Sequence, residues 1–308
     1  MKREVVRTVM SDPLATCGVV VTYFPPEGMA SRLAKIAKHV DALVVIDNSA
    51  SDAVASLLEP VAAQLGAHLV LNGQNVGIAK ALNQGIDHAR RKGASWVVFF
   101  DQDSVPNDEF RTELSQILSA YDGTEPLGVI GCNYFLPGSA RPRYPTVGPG
   151  GKSYARITSV ITSGSAYAMS MLSRLGSFRN EYFIDCVDTE YCWRARTNGY
   201  AVCITTKPLV THTIGAPTSH RVFGRKMTTW NHSAFRRYFI GRNNILLFQE
   251  YFSRLPGDSF DLLGYVLKTA LKICVVEQEK RKKLGYLLLG IWHGLRRYTD
   301  GKPGEVHR

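Results

Sequence analysis

Three observations predict an α/β fold, a Rossmann-like, mostly parallel sheet flanked by helices with a helical C-terminal extension. Short apolar runs alternate with segments of helical period through the first part of the chain. Two of those runs end in a carboxylate, and after about Pro217 the sequence turns basic and helical. The boundary expected from this change divides the chain into a domain over 14–216 and a basic region over 217–308.

Each element has its own signature. Cys17 to Tyr23 is an apolar run closed by Pro25-Pro26, hence a buried strand. Ser31 to His39 follows as a helix with Leu33, Ile36 and Ala37 on one side. Ala42 to Asp47 is a second strand, followed by a helix over Ala53 to Leu65, a strand over His68 to Leu71 and a helix over Ile78 to Lys92. Trp96 to Phe100 is the fourth strand, and it delivers Asp101-Gln102-Asp103 at its end. Further strands are expected over Val129–Tyr134, Ile157–Thr162, Ser165–Met169 and Ala201–Ile204, with a Pro- and Gly-rich loop over Pro137–Gly151. A helix begins near Asp188 and stops at Asn198-Gly199. In a parallel sheet the carboxyl ends at Thr22, Asp47, Asn72 and Asp101 line one edge, where such sheets bind ligands.

Composition narrows the partners. With 45% hydrophobic and 20% charged residues the chain is globular, and its net charge of +11 favours an anionic partner: a phosphorylated substrate, an anionic membrane surface or nucleic acid. The six cysteines form no CxxC pair and no zinc-spaced cluster, which reads as reduced, structural thiols. The first residues lead into no apolar signal core, and no stretch of membrane-spanning length lacks a charge, so a cytoplasmic location is expected.

The candidate chemistry starts at Asp101 and Asp103. Strand residues alternate faces, so the pair is expected to share one face and to address one cation or diphosphate–metal complex. The plain alternative is a strand end followed by a turn over Ser104–Asn107. Asn75 can cap the helix that follows it, Gly77 permits close approach of a ligand, and Asn83 lies two turns along. Asp185, Asp188 and Glu190 place three carboxylates at a loop-to-helix boundary, more than helix-dipole preference alone explains. Gly150-Gly151-Lys152-Ser153 is not a phosphate loop, because Thr146 stands where its first glycine belongs. No GxGxxG follows the first strand.

Taken in order, Val20 to Tyr23, Val45-Ile46-Asp47-Asn48-Ser49, the Asn75–Gly85 segment, Phe100 to Asp103, and the acidic segment before Arg194 and Gly199-Tyr200 resemble glycosyltransferase family 2 of the GT-A fold. The resemblance spans about Cys17 to Asn244. Phe99 to Ser104 and Phe183 to Glu190 look most like bacterial transferases that use dTDP-L-rhamnose. It implies that Thr22, Tyr23, Asp47 and Asn75 hold the nucleoside, with Gly77, Asn83 and Arg242 also on the donor side. Asp101 then lies near the ribose or donor sugar, Asp103 coordinates Mg²⁺ or Mn²⁺, and His212 matches a further metal ligand of some relatives. The family usually has Glu-Asp where this chain has Val187-Asp188. Asp188 is the expected general base, with Asp185 as the alternative. The implied partners are a nucleotide-sugar donor and a saccharide or lipid-linked acceptor.

The basic region interleaves Arg221, Arg225, Lys226, Arg236, Arg237 and Arg242 with aromatic residues. Nucleic acid is not expected, because paired strand-end acids repel phosphate unless a metal intervenes. Leu262–Val276 and Leu284–Leu295 are apolar segments separated by Lys280-Arg281-Lys282-Lys283. They suit packing against the catalytic domain, a second subunit in a homo-oligomer, or peripheral contact with the inner face of the cell membrane.

Overall fold

The computed structural model describes residues 14–135, 141–212, 218–222 and 225–299. It divides into two compact units, Met1–Phe178 with Tyr191–Thr213, and Arg179–Glu190 with Ile214–Arg308.

The first unit is built on one sheet. Its strands are β1 (Thr16–Thr22), β2 (Ala42–Asp47), β3 (His68–Leu71), β4 (Trp96–Asp101), β5 (Ser104–Pro106), β6 (Leu127–Phe135), β7 (Tyr154–Arg156), β8 (Ser165–Ala168) and β9 (Ala201–His212). The order is β3-β2-β1-β4-β8-β6-β9-β5, with β7 pairing β9. The β3-β2-β1-β4 half is parallel, as the strand–helix alternation predicts, and β6 and β9 are also parallel. β8 inserts antiparallel between β4 and β6.

Helices α1 (Met29–Ala37), α2 (Asp52–Leu65), α3 (Ile78–Lys92), α4 (Phe110–Ala120) and α5 (Met169–Leu175) belong to this unit. Every residue of β1 is buried, which is why its sequence is a continuous apolar run rather than an alternating one. The core joins Val20, Val45, Val98 and Phe100 of the sheet to Leu33 and Ile36 of α1 and Leu114 and Ile117 of α4.

Two expectations are corrected here. Ile157–Thr162 is irregular, and the strand lies just before it, at β7. Ser104–Pro106 is a short strand, because its backbone pairs antiparallel with Val210–His212 of β9.

The second unit does not start with a helix after Pro217. An antiparallel hairpin, β10 (Thr218–Val222) and β11 (Arg225–Thr229), comes first. Then follow α7 (Ala234–Tyr251), α8 (Pro256–Val276) and α9 (Lys280–Leu295). α7 is buried nearly all round, so Arg237 lies inside, joined to the carboxylate of Glu277. Lys283 reaches the same carboxylate at 3.2 Å. Ile240, Ile273 and Leu287 form the apolar centre of the three helices. α7 and α9 cross at glycines: a Cβ on Gly290 would overlap the Tyr238 carbonyl, and one on Gly241 the Leu287 carbonyl. α6 (Val187–Thr197) runs from the second unit into the first.

Candidate active site

The carboxyl ends of the parallel strands bring the expected donor residues to one edge. Strand register sets Thr22 beside Asp47, and Asp101 beside Val21. Asp47 is 3% exposed and holds the corner together. Its Oδ1 accepts hydrogen bonds from the hydroxyls of Thr22 and Ser49, each 2.7 Å, and its Oδ2 accepts the Ser49 N–H at 2.9 Å. The Ser49 hydroxyl in turn accepts the Phe24 N–H at 2.7 Å, fixing the turn that carries exposed Tyr23 and Phe24. A carboxylate has about four lone-pair directions, so these contacts leave acceptor capacity on Asp47. Beside it opens a cavity of about 220 Å³ lined by Asp47, Ala50, Ser51, Asp52, Ala55, Leu71 and Gly73. A larger cavity of about 500 Å³, lined among others by Asp41, His68 and His88, lies at the opposite, amino-terminal ends of β2 and β3.

The Asp-x-Asp element has a different local geometry from the one strand alternation predicts. β4 ends at Asp101, and Gln102 and Asp103 form a turn into β5, so the turn rather than the pleat aims Asp103. Gln102, which no sequence pattern singles out, secures that turn. Its Oε1 accepts the Tyr23 N–H at 2.8 Å and its Nε2 donates to the Tyr23 carbonyl at 3.2 Å. The Asp101 N–H donates to the Ser163 hydroxyl at 3.4 Å, and that hydroxyl pairs with the one of Ser104. His212 ends β9 with its backbone opposite Ser104, one residue beyond Asp103.

The segment before α3 departs from a simple cap. Asn75 Oδ1 accepts the Gly77 N–H at 3.0 Å, while the N-cap position is Gly77 itself, at φ 86° and ψ 160°, a backbone state open to glycine. Behind it, Asn72 links the side chains of Asn48 (2.9 Å) and Gln84 (3.0 Å). Asn83 serves the fold, since its amide donates to the Phe178 carbonyl at 2.8 Å and accepts the Phe178 N–H at 2.9 Å.

In the second unit the acidic segment sits in strained backbone. Phe183, Asp185 and Cys186 have φ of 50°, 64° and 60°, a region that costs non-glycine residues on the order of 1 kcal/mol or more each. α7 holds this shape. Arg236 grips Asp185 through Nε at 3.0 and 3.2 Å and Nη2 at 2.8 Å. Asn243 Nδ2 lies within 2.9 Å of the carbonyls of Tyr182, Ile184 and Asp185. Phe183 stacks on Phe239 at 5.1 Å.

The three carboxylates therefore have different roles. Glu190 is buried and accepts from the Tyr251 hydroxyl at 3.2 Å. Asp185 is committed to Arg236. Asp188, half-buried in the first turn of α6, accepts the Thr189 N–H at 2.8 Å. Arg242 lies inside α7. It is 1% exposed, stacks over Phe239 at 4.8 Å and donates to the Glu181 carbonyl, and burial draws its guanidinium below its ordinary pKa. It is a packing cation of the helical unit.

Among the described residues no three His, Cys, Asp or Glu side chains gather into a metal cage. A strand-end carboxylate pair nonetheless fits Mg²⁺ or Mn²⁺ chemistry, since such ions take one or two carboxylates and fill their shell with water and substrate phosphates.

Residues 19–174 match the model of glycosyl transferase family 2. Over 298 residues, 92% of this chain and 96% of the relative, the sequence is 28% identical to dTDP-rhamnosyl transferase RfbF of Shigella flexneri. Among solved structures, residues 1–349 of TarS from S. aureus superpose with a TM-score of 0.62 at 14% identity, over 92% of this chain and 82% of that one. The mannosyltransferase PcManGT of Pyrobaculum calidifontis, in complex with GDP-Man and Mn²⁺, gives 0.54 at 17% identity, over 94% and 90%. The edge built from Thr22, Asp47 and Asp101, the turn at Asp103 and the family match agree: this chain belongs to glycosyl transferase family 2 and is a glycosyltransferase.

Proposed function

We propose that the chain is an inverting, metal-dependent transferase that moves L-rhamnose from dTDP-L-rhamnose to a hydroxyl of a saccharide or lipid-linked acceptor, in cell-surface polysaccharide synthesis at the cytoplasmic face. The observation that carries the reading is the sheet edge where Thr22, Asp47 and the Asp101–Asp103 turn are bound to one another. The choice of donor is supported by the rhamnosyl transferase relative, which aligns over nearly the whole of both chains.

In this reading the cavity beside Asp47 takes the pyrimidine, with Tyr23 and Asn75 along the nucleoside. Asp101 faces the ribose or sugar. Asp103, with His212 as a further candidate, would hold Mg²⁺ or Mn²⁺, which when bound would offset charge on the leaving diphosphate. Asp188 accepts the proton of the acceptor hydroxyl as its oxygen bonds to the anomeric carbon. The anomeric bond to the diphosphate breaks with its electron pair, and configuration inverts. Asp188 is preferred over Asp185 because the Arg236 fork occupies both Asp185 oxygens.

A panel of dTDP- and UDP-sugars, with release of nucleoside diphosphate followed with and without Mn²⁺, tests the assignment. Metal-dependent turnover of dTDP-L-rhamnose is expected; turnover of UDP-sugars alone would assign another donor.

A further inference from the structure

α8 and α9 each carry an apolar stripe on the face turned away from their packing. On α8, Leu267, Leu271 and Val275 stand exposed, Leu267 at 72%, while Val266 and Ile273 are buried. On α9, Leu288, Trp292 and Leu295 stand exposed, Trp292 at 52%, while Leu287, Gly290 and Gly294 are buried. Spacings of three or four residues put each trio on one side of its helix. Neither helix is long and apolar enough to cross a membrane.

The charges at the ends of α9 are mostly positive, the nearest acids being Glu277 and the N-cap residue Glu279. Lys280, Arg281, Lys282 and Lys283 open the helix and Arg296 and Arg297 follow it, with no acid from Lys280 to Tyr298. Lys283 is used internally by Glu277, and Lys282 lies 3.7 Å from Glu279. Cations at a helix N-terminus oppose the helix dipole; Glu277 and Glu279 offset two of these four, and Lys280 and Arg281 stand exposed beyond them. At the other end the Arg296 guanidinium lies 4.2 Å from the centre of the Trp292 ring, an apolar body with a cationic tip.

We propose that the outer faces of α8 and α9 are a docking surface for an anionic lipid bilayer. The stripes enter the headgroup boundary, and Lys280, Arg281 and Arg296 meet lipid phosphates. Charge decides between lipid and a second copy of this chain. A two-fold contact sets the same patch on both partners, and here that brings one net positive rim against another, since Lys268, Lys280, Arg281, Lys282, Arg296 and Arg297 outnumber Asp261 and Glu279. An anionic surface neutralises the rim instead. The proposal deepens the lipid-linked acceptor reading by placing the enzyme where such an acceptor resides, yet it stands on α8 and α9 alone.

Flotation of the full chain with phosphatidylcholine vesicles, with and without phosphatidylglycerol, tests it. The chain should float with the anionic vesicles only, and less as salt rises. Leu288→Ser with Trp292→Ser, both already exposed, should weaken binding by about tenfold or more with an unchanged thermal midpoint. Leu267→Ser with Leu271→Ser repeats the test on α8. Lys280→Gln, Arg281→Gln and Lys282→Gln together should weaken it by roughly a hundredfold, about fivefold for each cation. An intact chain that stays soluble with anionic vesicles overturns the proposal, as does a dimer in sedimentation that the Leu288→Ser/Trp292→Ser variant dissociates. Nucleotide release in vesicle-free solution is read separately, so failure here leaves the transferase reading standing, and the reverse holds.

Discussion

Single side chains at the carboxyl edge of the sheet divide into those that hold the edge and those proposed to act on a ligand. Asp47 holds it: Asp47→Ala leaves the hydroxyls of Thr22 and Ser49 without their buried acceptor, and should lower unfolding stability by about 2–3 kcal/mol in urea titration. Gln102→Ala releases Tyr23 from the turn. Its stability cost should be about 1 kcal/mol, and the larger effect should appear as a raised KM for the donor, because the turn aims Asp103. Asp188→Asn removes the proposed proton acceptor while retaining shape. It should lower kcat by about a hundredfold to ten-thousandfold with nucleotide affinity unchanged. A variant that turns over normally would transfer the role to Asp185.

At the scale of elements, the parallel half was legible because its strands are buried on both faces and read as apolar runs, each followed by a helix period. The same signal named Thr22, Asp47 and Asp101, since parallel strands carry their carboxyl ends to one edge. Interactions that depend on register were not legible. Nothing local in Gln102 announces that it pairs with Tyr23, or in Asn83 that it bonds to the backbone of Phe178. The hairpin β10–β11 was missed because basic, Thr-rich strands lack the apolar alternation that marks a strand. The burial of Arg242 was not legible for the opposite reason, because an arginine is expected at a surface and this one is packed among Tyr238 and Phe239. The α7–α9 crossing gives its own prediction. Gly290→Ala forces a methyl onto the Tyr238 carbonyl, and should destabilise the chain by about 2–3 kcal/mol, read as a lower thermal midpoint.

For the whole molecule, stability depends on pH through histidines held neutral. Burial, then His68, Arg91 and Lys92, bring His88 down to about 4. Burial, then Arg236, Arg237 and Lys283, bring His232 down to about 3. His39 and His68 are lowered in the same direction by burial. The unfolded chain protonates these groups near 6.5, the folded chain only at lower pH, so their contribution is complete above 6.5 and declines as pH falls from there towards 4. Urea midpoints should therefore drop between pH about 7.5 and about 5, and a flat profile would show that these rings titrate freely when folded.

The transfer reaction rests on one claim, that the Asp101–Asp103 turn binds a thymidine diphosphosugar together with a divalent ion. Calorimetric titration of dTDP-L-rhamnose into the full chain measures it directly. Binding is expected in the presence of Mn²⁺, abolished by chelation and weakened at least about tenfold by Asp103→Ala. Equal affinity with and without metal, or an Asp103→Ala variant that binds as the parent does, would contradict it.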